Sequence, residues 1–131
     1  MHTLTLLTIG LASIGQAAGD DREPQRILFP YYAEEAAKYA FYLDEKHERR
    51  LELQKQPVLT WTNAQNYMGA VFIWTFKGRP ELIGCIGSHQ LKPGRSNVFR
   101  EFHSLCVQPL QPVTFPDGRR WTPKSLSGYG A

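Results

Sequence analysis

Residues 67–87 read YMGAVFIWTFKGRPELIGCIG, and the remainder of the chain is best placed by reference to them. Ala70, Phe72, Trp74 and Phe76 alternate with Gly69, Val71, Ile73 and Thr75. Successive side chains of a strand point to opposite faces, so this run has one strongly aromatic face and one aliphatic face. Apolar residues on both faces place it centrally in a sheet rather than at an edge. Lys77-Gly78-Arg79-Pro80 reads as a four-residue turn, and Glu81–Ile86, with Leu82, Ile83, Cys85 and Ile86, as the antiparallel partner.

Upstream of this hairpin the pattern changes period. Ala33, Ala36, Ala37, Tyr39, Ala40, Tyr42 and Leu43 give an apolar side to Tyr31–His47, with charged residues on most of the rest, and predict a helix there. Glu34 and Glu35 suit its first turns and Lys46, His47 and Arg49 its end, while Pro30 serves as a start signal. Asp20–Pro30, polar and carrying Pro24 and Pro30, predicts an extended lead-in. Leu51–Gln54 alternates as a short strand, Pro57 interrupts, and Val58–Thr62 resumes before the turn-rich Asn63–Asn66.

Downstream, Ser88–Asn97 contains Pro93, Gly94 and Ser96 and predicts a loop, followed by a strand over Val98–Val107. Pro109, Pro112, Pro116 and Pro123 exclude a helix beyond that point and predict extended edge segments, with 124–131 a flexible tail. The expected fold is α+β: an N-terminal helix packed on a curved antiparallel sheet of four to five strands, in a single domain over 31–123.

Composition sets outer bounds on function. A chain of 131 residues supports one core. A net charge of +3, with only the isolated pairs Arg49-Arg50 and Arg119-Arg120, is not the footprint of a nucleic-acid binder. The uncharged apolar run Leu4–Ile14, followed by Gly15-Gln16-Ala17-Ala18-Gly19, matches the core and small-residue end of a cleaved secretory signal over 1–19, although its n-region lacks Lys and Arg. The run falls short of the ~20 residues a membrane-spanning helix requires, so no transmembrane span is expected in the mature chain.

Few residues announce chemistry. HExxH, GxSxG, GxGxxG and paired CxxC patterns are all absent from the sequence, and neither a cofactor nor a metal site is expected. Glu101 and His103, at i and i+2, share a strand face, where a carboxylate can orient an imidazole; with Arg79 in the turn they are the candidate catalytic residues. A half-buried polar pair satisfying itself is the plainer reading, and an exposed bend residue the plainer reading of Arg79. Trp61, Trp74 and Arg100 are the candidate ligand-binding residues, although aromatic strand residues more often belong to a core. Cys85 and Cys106 raise the question of a disulfide. With consecutive strands around the 88–97 loop, Cys85 falls opposite about residue 100, leaving Cys106 roughly 20 Å along the ladder, beyond bridging distance.

The succession Leu51-Glu52-Leu53-Gln54, Pro57-Val58-Leu59, Trp61-Thr62-Asn63, GAVFIWT at 69–75, GRPEL at 78–82 and EFHSL at 101–105 resembles a family of uncharacterised exported proteins of planctomycete bacteria. The resemblance covers about residues 31–123. It implies export and supplies no reaction. Ala64 stands where the family pattern has Pro, and Arg100 where it has the first His of H-E-F-H, which removes one prospective ligand. Related chains continue past the equivalent of Trp121-Thr122-Pro123, which implies a short or truncated member. The leading expectation is therefore an exported, non-enzymatic module for an unidentified ligand or protein partner. The alternatives are a hydrolase or metal-dependent enzyme built on Glu101 and His103, and a truncated piece of a longer exported protein. The last predicts an open apolar sheet face.

Overall fold

The computed structural model describes residues 22–92, 95–111, 113–114, 120–121 and 128. Helix α1 (Arg22–Ala37) precedes strands β1 (Glu52–Leu53), β2 (Leu59–Thr62), β3 (Tyr67–Phe76), β4 (Arg79–Lys92) and β5 (Arg95–Ser104). These five strands form one antiparallel sheet in which β3 and β4 are central, β5 lies beyond β4, and β1 and β2 share the other side of β3. A small separate ladder pairs β6 (Val113–Thr114) with β7 (Arg120–Trp121). The architecture is α+β with the helix packed on the sheet, as the sequence predicts. The signal-like segment 1–19 and most of the 124–131 tail lie outside the described residues.

The β3–β4 hairpin is tighter than a four-residue turn. Only Lys77 and Gly78 leave the ladder, both with positive φ (50° and 79°), and Phe76 faces Arg79. Two consecutive residues at positive φ make the mirror-image turn whose twist matches that of the strands. The register then slips: Thr75 faces Pro80 and Trp74 faces Leu82, so Glu81 is the extra residue of a β-bulge. Pro80, which has no N–H to donate, is tolerated beside such an irregularity.

Other sequence expectations are corrected as well. Ser88–Asn97 is strand rather than loop on both sides of residues 93–94, with Ser88 facing Val98, His89 facing Asn97 and Gln90 facing Ser96. Polar side chains there read as loop, but backbone pairing onto an established hairpin carries the ladder onward. The helix spans 22–37, not 31–47, so the expected extended lead-in over 20–30 is helical from Arg22 onward and Pro30 lies inside the helix. It ends where Lys38 N–H and Tyr39 N–H bond back to the carbonyls of Glu35 and Ala36 (3.1 and 3.2 Å), tightening the last turn. Tyr39 and Phe41 are then buried in alternation, as in extended chain. The chain returns through a hairpin-like loop: Leu43 N–H bonds Arg49 O (3.0 Å) and Leu51 N–H bonds Phe41 O (2.9 Å). The Asp44 carboxylate caps that turn by accepting from the N–H of Glu48 and Arg49 (2.9 and 2.7 Å). Ala36, Tyr39, Ala40 and Leu43 fit the helical spacing equally well, which is why the sequence pattern misleads.

The inner face of the sheet carries the core. Met68, Ala70, Phe72 and Trp74 of β3, Leu82 and Ile86 of β4 and Phe102 of β5 are buried with Tyr32 and Ala36 of α1 and with Tyr39, Phe41 and Leu51. Trp74, Phe41 and Phe102 meet edge to face at 5.2–5.8 Å between ring centres. Trp74 and Phe102 converge above Gly84, where a Cβ would stand 2.6 Å from Phe102 and 2.9 Å from Trp74. Tyr32 Oη and Ser88 Oγ, 2.5 Å apart, satisfy each other inside this layer. Because neither ring can retreat from a packed core, Gly84→Ala should lower unfolding free energy by about 1–3 kcal/mol, measured by urea denaturation. An unchanged midpoint would show that the rings can yield.

Candidate functional site

The outer face of the sheet is built row by row from register. One row runs Trp61, Gly69, Gly87, Phe99 across β2, β3, β4 and β5. The indole of Trp61 takes the space above Gly69, and the ring of Phe99 that above Gly87; added Cβ atoms would stand 2.9 and 2.4 Å from them. The two rings, from opposite sides of the sheet, come to 6.1 Å between centres. The next row is Leu59, Val71, Cys85 and Glu101, and the row after it Ile73, Ile83 and His103. Tyr67 and His89 stack at 4.0 Å on the near side. Trp61, Val71, Ile73, Ile83, Cys85 and Phe99 are all partly open, and Leu59 is 56% exposed. In an antiparallel sheet with one packed face, the other is ordinarily polar.

Among the sequence candidates, Trp61 lies on this outer surface, whereas Trp74, at 1% exposure, belongs to the core and lines no groove. The Nε1 of Trp74 finds no hydrogen-bond partner. Glu101 and His103 do meet, at 2.9 Å between Oε1 and Nε2, but their side chains are 64% and 55% exposed at the rim. Ser104 is turned away and accepts the N–H of Cys106 (3.1 Å). Arg79 does not join the Glu101–His103 pair; it is committed to Glu81. Among the described residues no group of three His, Cys, Asp or Glu side chains is placed to hold a metal ion. Cys85 faces Glu101 in the ladder, within one residue of the predicted register, and both cysteines are free thiols.

Arg100, the remaining candidate, clamps helix to sheet. Its guanidinium bonds Glu35 Oε2 (2.5 Å) while Lys38 bonds Oε1. Burial pushes the Glu35 carboxyl upward, but the hydrogen bonds from Lys38 and Arg100 outweigh it and hold the group below its ordinary value.

A second locus was not legible in the sequence. The bulge at Glu81 turns its carboxylate inward, leaving it 1% exposed. Its Oε1 accepts from Arg79 Nε (2.6 Å) and lies 2.5 Å from a terminal guanidinium nitrogen. Its Oε2 lies 3.1 Å from Cys106 Sγ, whose thiol is pushed up to about 11, first by burial and then by this hydrogen bond. Leu105 N–H bonds Glu81 O (2.8 Å). A cleft of about 300 Å³ opens beside the pair, lined by Leu43, Arg49, Arg79, Glu81, Cys106 and the 107–109 segment. Arg79 and Glu81 at i and i+2 were a usable signal for the ion pair; nothing local to Arg49 pointed to the cleft.

No family model, curated protein or solved structure matches the chain.

The Glu35 cluster carries a pH signature. A carboxyl whose folded pKa is depressed contributes stability that is present above its unfolded value and is lost as pH falls through the folded value. Stability should therefore decline as pH drops below about 4.5, the unshifted value. Asp44 is likewise held below its ordinary value, chiefly by the Glu48 N–H. Glu35→Gln should cost stability at neutral pH and flatten part of this acid limb in denaturant midpoints. An unaltered limb would remove Glu35 from the clamp.

Proposed function

We propose that this chain is an exported, non-enzymatic binding module that receives the apolar face of another polypeptide on the outer face of its sheet. The observation that carries the reading is the set of partly open apolar side chains, Leu59, Trp61, Val71, Ile73, Ile83 and Phe99, on the face opposite helix α1. A flat surface of β-branched and aromatic side chains is what a second layer of secondary structure packs against, and contiguous apolar surface of this kind marks interaction sites. The rows Trp61–Gly69–Gly87–Phe99, Leu59–Val71–Cys85–Glu101 and Ile73–Ile83–His103 place among these apolar side chains none of the Lys or Arg that a nucleic-acid surface would require. Export rests on the Leu4–Ile14 run and the small residues after it. No helix among the described residues is long and apolar enough to cross a membrane. Membership of the planctomycete exported family is proposed on GAVFIWT, GRPEL and EFHSL, segments that coincide with β3, the β3–β4 turn and β5.

Photocrosslinking from position 83, with benzoylphenylalanine replacing Ile83 in producing cells, tests the surface. A discrete higher-mass protein adduct is expected, and none from the same residue placed at exposed Glu45. Equal yields from both positions, or no adduct from position 83, would overturn the reading.

A further inference from the structure

We propose that the cleft between Arg49 and Arg79 is a binding site for a small organic carboxylate with an apolar body. The site is separate from the outer sheet face and does not depend on its role. Arg49 and Arg79, from segments far apart in sequence and with side chains 55% and 78% exposed, line one cavity of about 300 Å³, at the small end of ligand pockets. Both are held from behind. Arg49 Nε bonds Asp44 Oδ2 and one terminal nitrogen bonds Leu43 O, each at 3.3 Å. Arg79 is held by the buried Glu81. A guanidinium has five N–H donors in a fixed fork, so each arginine has donors left for a ligand after these contacts.

Asp44 and Glu81 balance the two arginines. An incoming anion therefore meets preoriented donors rather than a large unscreened charge, a setting suited to one carboxylate rather than a polyanion. Leu43, Val107 and Pro109 supply an apolar wall for the remainder of the molecule. Val107, at 82% exposure, stands open at the rim of this wall among the described residues. The thiol of Cys106 is protonated and donates toward Glu81, which keeps this wall free of a second anion. The chemistry is binding alone, with no bond made or broken.

Benzoate and its neutral isostere benzamide are the probes, applied to the full chain by calorimetry and thermal denaturation. Benzoate should bind and raise the melting temperature in a concentration-dependent way, and benzamide should not. Arg49→Gln should weaken benzoate binding about tenfold, the size of one lost charge-assisted hydrogen bond. Arg79→Gln alone leaves Glu81 buried without its cation and endangers folding. The double variant Arg79→Gln/Glu81→Gln removes the pair together and should also weaken binding. Equal effects of benzoate and benzamide, no effect of millimolar benzoate, or benzoate affinity unchanged in both variants would each overturn the site.

Discussion

The close approach of Trp74 and Phe102 above Gly84 is the constraint on which the rest of this structure depends. Gly84 lies between Phe72 and Phe102 in register, so the central strand offers a gap where a side chain would normally stand. Trp74 and Phe102 fill that gap from above, and Phe41 closes over them at 5.2 Å from each. Phe41 reaches that place only because α1 stops at Ala37 and releases an extended segment in which Tyr39 and Phe41 both face inward. The short helix, the capped Asp44 turn and the inner aromatic layer are thus one packing solution, with hydrophobic burial as its main driving force.

The same use of glycine on the outer face has a different result. Gly69 and Gly87 sit side by side, and Trp61 and Phe99 lean inward over them from flanking strands, a cross-strand pairing that covers bare backbone. These rings tile part of the surface but do not bury it, and Val71, Ile73 and Ile83 continue the apolar area beyond them. The sheet therefore divides its labour. One face is saturated by the chain's own rings, and among the described residues the other keeps partly open apolar side chains. The bulge at Glu81 adds a third environment, because one inserted residue turns a carboxylate inward against Arg79 and Cys106 and opens the cleft beside them.

How far the sequence foretold this varies with the range of the interactions. The 67–87 hairpin was legible because strict alternation and a Gly-containing turn are local signals. The Cys85 register followed from counting, since antiparallel pairing fixes partners once a turn is placed. The sequence pattern places helix α1 too far along the chain because Ala36, Tyr39, Ala40 and Leu43 satisfy helical spacing while burial of Tyr39 and Phe41 requires extended chain, a choice made by tertiary contacts. Pro30 read as a boundary, yet the helix continues through it. Of the candidate residues, Trp61 and Trp74 could not be told apart from type alone; the ladder puts them on opposite faces. Arg79 reads as an exposed bend residue and Arg100 as a ligand-binding candidate, whereas each meets a buried carboxylate, on a bulge in the first case and on a distant helix in the second. Arg49 joined the cleft only through the loop that Asp44 closes.

The division between the two faces can be tested by stability alone. Urea denaturation of Ile73→Thr/Ile83→Thr, which removes apolar surface only from the outer face, should show a loss of about 1 kcal/mol or less, since those side chains are already partly solvated. Ile86→Thr on the inner face should lose about 2–3 kcal/mol, because it places a hydroxyl in a closed apolar layer. That contrast is the expected result. A loss in the outer pair equal to that of Ile86→Thr would mean the outer side chains are buried in the folded chain, and would contradict an open face available to a partner.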